Sequence, residues 1–352
     1  MSVTFPQIVD LLVKSDLIKL TFFLLIGAII VNGATDAANA IAGVVSTRTL
    51  KPSHAIILAS LFNFLGVVVM SLVNHRVVDT IMNMVDFSGN NHFALIALCA
   101  GMIAVVIWAT VAWMFGIPTS ESHALIAGVT GAAVALQNGF KGINGGVWIR
   151  VISGLFVSTA LGFILGYLLL KIMHFIFRRI KRKWAVRILK NLEIAGSSFM
   201  AFMHGAQDGQ KFIGILMIAI MLGMGVDTSV GAEVPLLIML LCSVLMAIGT
   251  GIGGKKIIKA VGMEMVKTND IQAVASDFAS ATSLLISSTF GLPVSTTHTK
   301  TTALLGAGIA TNRRGVKWSK AAEIIYAWVL TFPGCGLLGF FMAKLFLSVA
   351  GG

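Results

Sequence analysis

Long apolar runs restrict the fold of this chain more than any other feature of its sequence. The clearest of them are residues 53–73, 93–117, 151–173 and 322–350. A helix of about 20 apolar residues crosses a hydrocarbon core of about 30 Å with its backbone polar groups hydrogen-bonded internally. Only 11% of the residues are charged, against about a quarter in soluble domains, so we predict an all-α, polytopic membrane protein in a lipid bilayer.

The basic residues fall in the gaps between the apolar runs. The net charge is +12, and residues 171–190 hold many Lys and Arg side chains and no acid. Short loops rich in Lys and Arg face the cytoplasm. We therefore predict a basic cytoplasmic linker over 174–192 in a protein of the cell membrane, with both termini outside. The distribution of charge does not indicate nucleic-acid binding.

Two pairs of matching motifs indicate that the chain is an internal duplication. GATD at 33–36 aligns with GAQD at 205–208, and GIPTSESHALIAGVTGA at 116–132 aligns with GLPVSTTHTKTTALLGA at 291–307. Nearly the same interval separates the two motifs in each copy. Because two independent motifs repeat in the same order, one duplication explains both.

The motifs divide the chain into a first repeat, 1–173, and a second, 193–352, of about five apolar segments each. An odd number of segments inserts the second repeat upside down, which is the inverted-topology plan of secondary transporters. We expect broken helices with unwound backbone at Gly33 and Gly205, since glycine tolerates non-helical conformations. The segments around the second motif pair either cross the membrane fully or re-enter it as hairpins.

Two acids occupy matching places in the first motif pair, Asp36 and Asp208. A carboxylate near the middle of a membrane helix costs about 2.5–3.5 kcal/mol, so each needs a compensating partner. With the amide of Asn39 they would form an all-oxygen site for a monovalent cation, Na+ or H+. Glu121 is a further cation ligand or proton carrier in this prediction. The alternative is that each Asp only caps a half-helix.

Hydroxyl residues follow a proline in each copy of the second motif. A proline at the start of a helix leaves free N–H groups and the positive end of the dipole beside these hydroxyls, and such an end binds oxyanions. The predicted anion-site hydroxyls are Thr119, Ser120, Ser122, Ser295, Thr296 and Thr297. The alternative is that they only bond to helix carbonyls. Lys211 should pair with Asp208, contact the anion, or both, and would then act as a fixed positive charge.

The motifs NGATDAANAIAG, PTSESHALIAG, HGAQDGQKFIGI and PVSTTHTKTTALLGAG resemble the paired signatures of the inorganic phosphate transporter family. That family includes bacterial low-affinity phosphate transporters and eukaryotic type III sodium-phosphate cotransporters. The resemblance covers nearly the whole chain and implies cation-coupled phosphate transport. It implies a cation site at Asp36, Asn39 and Asp208, ligands of Na+ if sodium is the coupling ion, and a substrate site at the hydroxyl clusters. Thr35 and Gln207 stand where the family often has Asn, and both still offer oxygen ligands.

One departure from the family pattern concerns the coupling ion. The second copy has Gln210-Lys211 where sodium-coupled relatives have Ala-Asn, which leaves Na+, protons or a neutral metal-phosphate complex as alternatives. Importing divalent phosphate against an interior-negative potential of 100 mV costs about 4.6 kcal/mol, so accumulation needs about two monovalent cations or a metal partner. We predict symport by alternating access.

Two other functions are alternatives to phosphate symport. One is a permease for another oxyanion such as sulfate. The other is an intramembrane enzyme using the Ser-x-x-His patterns Ser120/His123 and Ser295/His298, which have no obvious orienting acid except Glu121. No cofactor is indicated, and a homo-oligomer is compatible with the sequence.

Overall fold

The structure is a computed structural model that describes residues 3–115, 119–226, 233–252, 268–313 and 316–351. Pro118, which precedes the first hydroxyl cluster, lies outside the described residues. Among those described, five helices are long and apolar enough to cross a membrane. The prediction of an all-α, polytopic membrane protein is confirmed.

The helices of the first repeat follow the predicted segments within a few residues. A short amphipathic helix precedes them, and another lies at the surface between the second and third segments. In chain order they are α1 (Phe5–Lys14), α2 (Asp16–Ser46), α3 (Pro52–Val73), α4 (Arg76–Asn83), α5 (Asn91–Phe115), α6 (Glu121–Leu136) and α7 (Gly145–Phe177).

The second repeat contains five described helices. They are α8 (Arg182–Gly223), α9 (Leu236–Ile252), α10 (Asp270–Thr289), α11 (Thr296–Asn312) and α12 (Trp318–Gly351). Since α7 ends at Phe177 and α8 begins at Arg182, most of the basic segment between the repeats is helical. We call the end of the molecule where α7 ends and α8 begins the linker end.

The predicted interruptions at Gly33 and Gly205 are wrong. Both residues lie inside continuous helices, α2 and α8. A Cβ on Gly33 would lie 2.6 Å from the carbonyl O of Met246 in α9, and one on Gly205 would overlap the carbonyl of Asn63 in α3. The two glycines therefore serve close helix packing, which keeps every backbone hydrogen bond intact in an apolar interior.

The chain does turn back at the second motif pair. α5 and α6 form one helical hairpin, and α10 and α11 form another. α6 and α11 have only 16 and 17 residues, and nearly all of them are buried. Their N-termini meet at the centre of the molecule, where Ser120 Oγ lies 2.8 Å from Ser295 Oγ. This geometry favours the hairpin alternative over full crossings.

The two repeats pack against each other reciprocally. α3 packs on α8 and α9 on α2, while α7 packs on α11 and α12 on α6. The glycines at these contacts repeat as well, because Gly131 of α6 touches the backbone of Gly336 and Gly306 of α11 touches that of Phe163. Each hairpin is thus held by the last helix of the opposite repeat.

Candidate functional site

The two duplicated acids form one central cluster. Asp36 lies in α2 and Asp208 in α8, and Thr296 at the start of α11 connects them. Its Oγ1 lies 3.3 Å from Asp36 Oδ2 and 3.2 Å from Asp208 Oδ2. All three side chains are buried. The close crossings at Gly33 and Gly205, one turn from each acid, bring α2 and α8 into the core and fix where the carboxylates point.

Asp36 receives its hydrogen bonds from neutral groups in the described part of the chain. Thr297 Oγ1 donates at 2.9 Å and Asn39 Nδ2 at 3.1 Å, both to Oδ1. Asn39 Nδ2 also lies 2.8 Å from Thr297 Oγ1. The carbonyl oxygen Oδ1 of Asn39 is buried and has no partner among the described residues. An unpaired buried acceptor beside a carboxylate is available as a further oxygen ligand for a cation or a water molecule.

Asp208 has basic partners on its own helix. Lys211 Nζ donates to Asp208 Oδ1 at 2.6 Å, and His204 Nε2 lies 3.2 Å from Oδ2. Their spacing of three and four residues places them on the face of α8 that carries Asp208. Lys211 also donates to Ser122 Oγ at 2.6 Å and to the carbonyl of Val294 at 2.5 Å. The predicted pairing of Lys211 with Asp208 is present.

The tips of the two hairpins place the positive ends of two helices face to face. Ser120 is the N-cap of α6 and accepts from His123 N at 3.2 Å. Ser295 is the N-cap of α11 and accepts from His298 N, also at 3.2 Å. Backbone N–H groups and hydroxyls at opposed helix N-termini are suited to an oxyanion.

Other predicted site residues lie around this centre with different contacts. Thr35 Oγ1 is 3.3 Å from Glu121 Oε1, so both border the cluster. Gln207 points away from the acids, because its Nε2 donates to Ser288 Oγ at 2.8 Å and to the carbonyl of Leu292 at 3.2 Å. Thr119 is buried, and no described hydrogen bond joins it to either acid. Gln207 thus supports the tip of the second hairpin.

Sequence reasoning missed several buried charged or titratable groups, among them His204, Asp277 and Lys300. His204 lies four residues before Asp208, and that spacing could have revealed it as a partner. Together Asp36, His204 and Asp208 place ligand atoms within 4.8 Å of one another. Asp277 and Lys300 form a buried ion pair elsewhere in the second hairpin. Lys300 could have been found by the argument applied to Lys211, namely a lysine inside an apolar helix.

A duplicated helical membrane fold with buried acids and opposed helix N-termini at its centre defines a membrane transport protein. The sequence matches the model of the phosphate transporter family over residues 32–192 and 178–339, one match in each repeat. The chain belongs to the phosphate transporter family. This confirms the family predicted from the motifs.

Relatives of known name match over nearly their whole length. Proteins named "Probable low-affinity inorganic phosphate transporter" from Bacillus subtilis and Rhizobium meliloti are 33% and 35% identical. The alignments cover 92% and 91% of this chain and 96% and 95% of theirs. Relatives are named as phosphate transporters or permeases, not enzymes, so the intramembrane-enzyme alternative is set aside.

One solved structure, named "The sodium-dependent phosphate transporter", has the same fold. Its TM-score is 0.86 at 22% sequence identity, and the match covers 95% of this chain and 100% of that chain. At this level of identity the likeness concerns the arrangement of helices.

Proposed function

We propose that this protein imports inorganic phosphate across the cell membrane by cation-coupled symport with alternating access. The observation that carries the proposal is the position of Thr296 between the two acids. One hydroxyl contacts both acids, and the neighbouring Ser295 faces Ser120 across the hairpin tips. A cation at the acids and an anion at the tips would therefore be neighbours, and each would stabilise the other.

A single coupling cation at Asp36 fits the charges of the centre. Asp208 already has Lys211 and His204 beside it, whereas the donors to Asp36 are an amide and hydroxyls. The unpaired Asn39 Oδ1 adds a neutral oxygen ligand, which favours Na+ over a bound proton. One monovalent cation balances the charge of H2PO4−, so uptake of that species would be insensitive to the membrane potential.

Phosphate would bind between the hairpin tips. The N–H groups at the starts of α6 and α11 and the hydroxyls of Ser120 and Ser295 would hold its oxygens, with Ser122, Thr296 and Thr297 beside them. Lys211 is within reach, since its Nζ already contacts Ser122. The hydrogen bond between Ser120 and Ser295 closes this gap, so phosphate must separate the tips to bind. That separation couples substrate binding to a movement of the hairpins.

Charge and exposure support the proposed placement in the membrane. Large apolar side chains are exposed along α3, α7 and α12, as expected of surfaces in contact with lipid. The basic linker would face the cytoplasm, with both termini outside. In this orientation α6 would run from the centre toward the outer surface, and α11 would run from the centre toward the cytoplasmic surface.

Transport by purified protein in phosphate-free lipid vesicles tests the proposal. Labelled phosphate uptake is measured under an inward sodium gradient and, separately, under an inward proton gradient. We expect accumulation under the sodium gradient and little competition from a tenfold excess of sulfate. Uptake under the proton gradient alone would assign the coupling to H+. Absence of uptake under both gradients, or competition by sulfate as strong as by phosphate, would contradict the proposal.

A further inference from the structure

A second buried charge pair lies in the hairpin of α10 and α11. Lys300 Nζ donates to Asp277 Oδ1 and lies 3.2 Å from Ser276 Oγ. The side chains of Lys300 and Asp277 are 2% and 0% exposed. Lys300 is one helical turn beyond Thr296, on the side of the central site that leads toward the linker end.

The first repeat shows that the fold does not need this pair. In the motif alignment Lys300 corresponds to Leu125, and the same alignment extended without gaps matches Asp277 with Met102. Leu125 and Met102 are both buried in the hydrophobic core. An apolar pair therefore stabilises the equivalent hairpin, and a buried ion pair is generally no more stabilising than such a replacement. The charges in the second hairpin call for an explanation other than stability.

The pair lies between the two helices that carry the central acids. A Cβ on Gly43 of α2 would be 3.1 Å from Asp277 Oδ2, and one on Gly196 of α8 would be 3.1 Å from Asp277 Cβ. Asp277 Oδ2 is buried and has no hydrogen-bond partner among the described residues. A carboxylate oxygen left unpaired at the meeting point of α2, α8 and α10 is costly, and it is a free ligand oxygen for a water molecule or a passing cation.

Polar groups continue from this pair to the linker end. Glu193 of α8 lies one turn beyond Gly196 and accepts hydrogen bonds from Thr47 Oγ1 at 2.6 Å and Thr49 Oγ1 at 2.5 Å. By its position along α8 and α11 the pair lies between the central cluster and Glu193, and we call these three groups together the polar column. An ion leaving the centre in this direction meets Lys300 and Asp277 first.

We propose that Lys300 and Asp277 form the gate at the linker end and a second, transient binding station for the co-transported ions. When the pair separates, the ammonium of Lys300 binds the oxyanion and the carboxylate of Asp277 binds the monovalent cation. When the ions leave, the two side chains neutralise each other again and the column closes. This inference rests on the proposed function, since it assumes that an anion and a cation leave together.

The test is a double variant, Asp277→Met with Lys300→Leu. It gives the second hairpin the apolar residues that the first hairpin has at these positions. It removes both charges, so no buried charge is left unpaired. In vesicles we expect sodium-driven phosphate uptake to fall at least tenfold. Phosphate binding to the detergent-solubilised protein, measured by equilibrium dialysis, should stay within twofold because the central site is intact. The matched variant Asp277→Glu with Lys300→Arg keeps both charges and should retain more than a fifth of the uptake.

The outcomes separate this inference from the proposed function. Uptake by the apolar variant within twofold of the unmodified protein would overturn the gate. Equal loss of uptake in the charge-retaining and apolar variants, with binding preserved, would also overturn it, because the charges would then not matter. If the apolar variant does not fold, the neutral polar pair Asp277→Asn with Lys300→Gln takes its place under the same criteria. Failure of the unmodified protein to transport phosphate would instead contradict the proposed function.

Discussion

At the scale of residues, the two halves of the duplicated site carry different charges. Asp36 and Asp208 are equivalent by sequence, yet Asn39 follows the first acid where Lys211 follows the second. Lys211 supplies permanently, at 2.6 Å from Asp208, the positive charge that a bound cation would supply at Asp36. In the proposed mechanism the duplication therefore retains two acids but binds a mobile cation at only one of them.

Replacing Asp36 by Asn tests the proposed cation site. The amide keeps the shape of the side chain and removes the charge that attracts the cation, so we expect Asp36→Asn to lower gradient-driven phosphate uptake by about 10- to 100-fold, corresponding to about 1.5–3 kcal/mol. The measurement is initial uptake in vesicles under the sodium gradient. Asp10→Asn is the matched control, because Asp10 is exposed and pairs only with Lys14 on α1 in the described structure. Normal uptake by Asp36→Asn would remove the coupling assignment.

Replacing Lys211 by Asn tests the fixed charge. Asp208 then loses its strongest partner, and the amide recreates beside it the arrangement found at Asp36 and Asn39. We expect the dependence of uptake on sodium concentration to become steeper, with a Hill coefficient rising from about 1 toward 2. The exposed Lys141, replaced in the same way, provides the control. An unchanged sodium response in Lys211→Asn would show that Lys211 does not act as a built-in cation.

At the scale of elements, glycines set the distances between helices. Gly33 and Gly205 allow α2 and α8 to approach α9 and α3 until backbone touches backbone. A continuous helix with a close crossing holds its side chains more rigidly than an unwound segment would. The acids are therefore positioned by packing. The helical structure is interrupted instead just before α6 and α11, at the N-caps Ser120 and Ser295.

Substitution of Gly205 distinguishes packing from unwinding. A methyl group there would collide with the backbone of Asn63, so we expect Gly205→Ala to destabilise the protein by about 1–3 kcal/mol. Gly27 in α2 has no atom within 4 Å of an added Cβ, and Gly27→Ala should leave stability unchanged or raise it by up to about 1 kcal/mol. Thermal unfolding in detergent measures both. Equal melting temperatures for the two variants would argue against the close crossing.

The sequence predicted the elements better than it predicted their contacts. Apolar length and the repeated motifs located the helices and paired Asp36 with Asp208, since both signals are local or duplicated. The unwound glycines were predicted wrongly because a glycine next to an acid in an apolar segment fits unwinding and close packing equally well. Asp277 and Lys300 are 23 residues apart in different helices of a hairpin, and no local spacing reveals that they meet.

At the scale of the whole molecule, the reciprocal packing joins the repeats into one body. Each hairpin contacts the last helix of the opposite repeat, α6 with α12 and α11 with α7. Movement of one hairpin therefore shifts elements of both repeats. In the proposed mechanism this would couple opening on one side to closing on the other, because both would involve the same contacts.

The predicted orientation is tested by labelling single cysteines in intact cells. The native cysteines Cys99, Cys242 and Cys335 are buried, so their background reaction with a membrane-impermeant maleimide should be low. Lys183 and Ser348 are exposed at the linker and near the C-terminus. We expect Ser348→Cys to react in intact cells and Lys183→Cys only after permeabilisation. The reverse pattern would place the linker outside and invert the proposed direction of the gate.

Each hairpin packs against the last helix of the opposite half, and this arrangement bears on how the molecule evolved. A single half would leave its hairpin uncovered in the bilayer, with polar groups at its tip that now face the other half. A gene for one half would have covered its hairpin only as an antiparallel dimer of two copies in opposite membrane orientations. Fusion of such an antiparallel dimer would have freed each half to diverge, as the buried lysines of the second half, Lys211 and Lys300, illustrate.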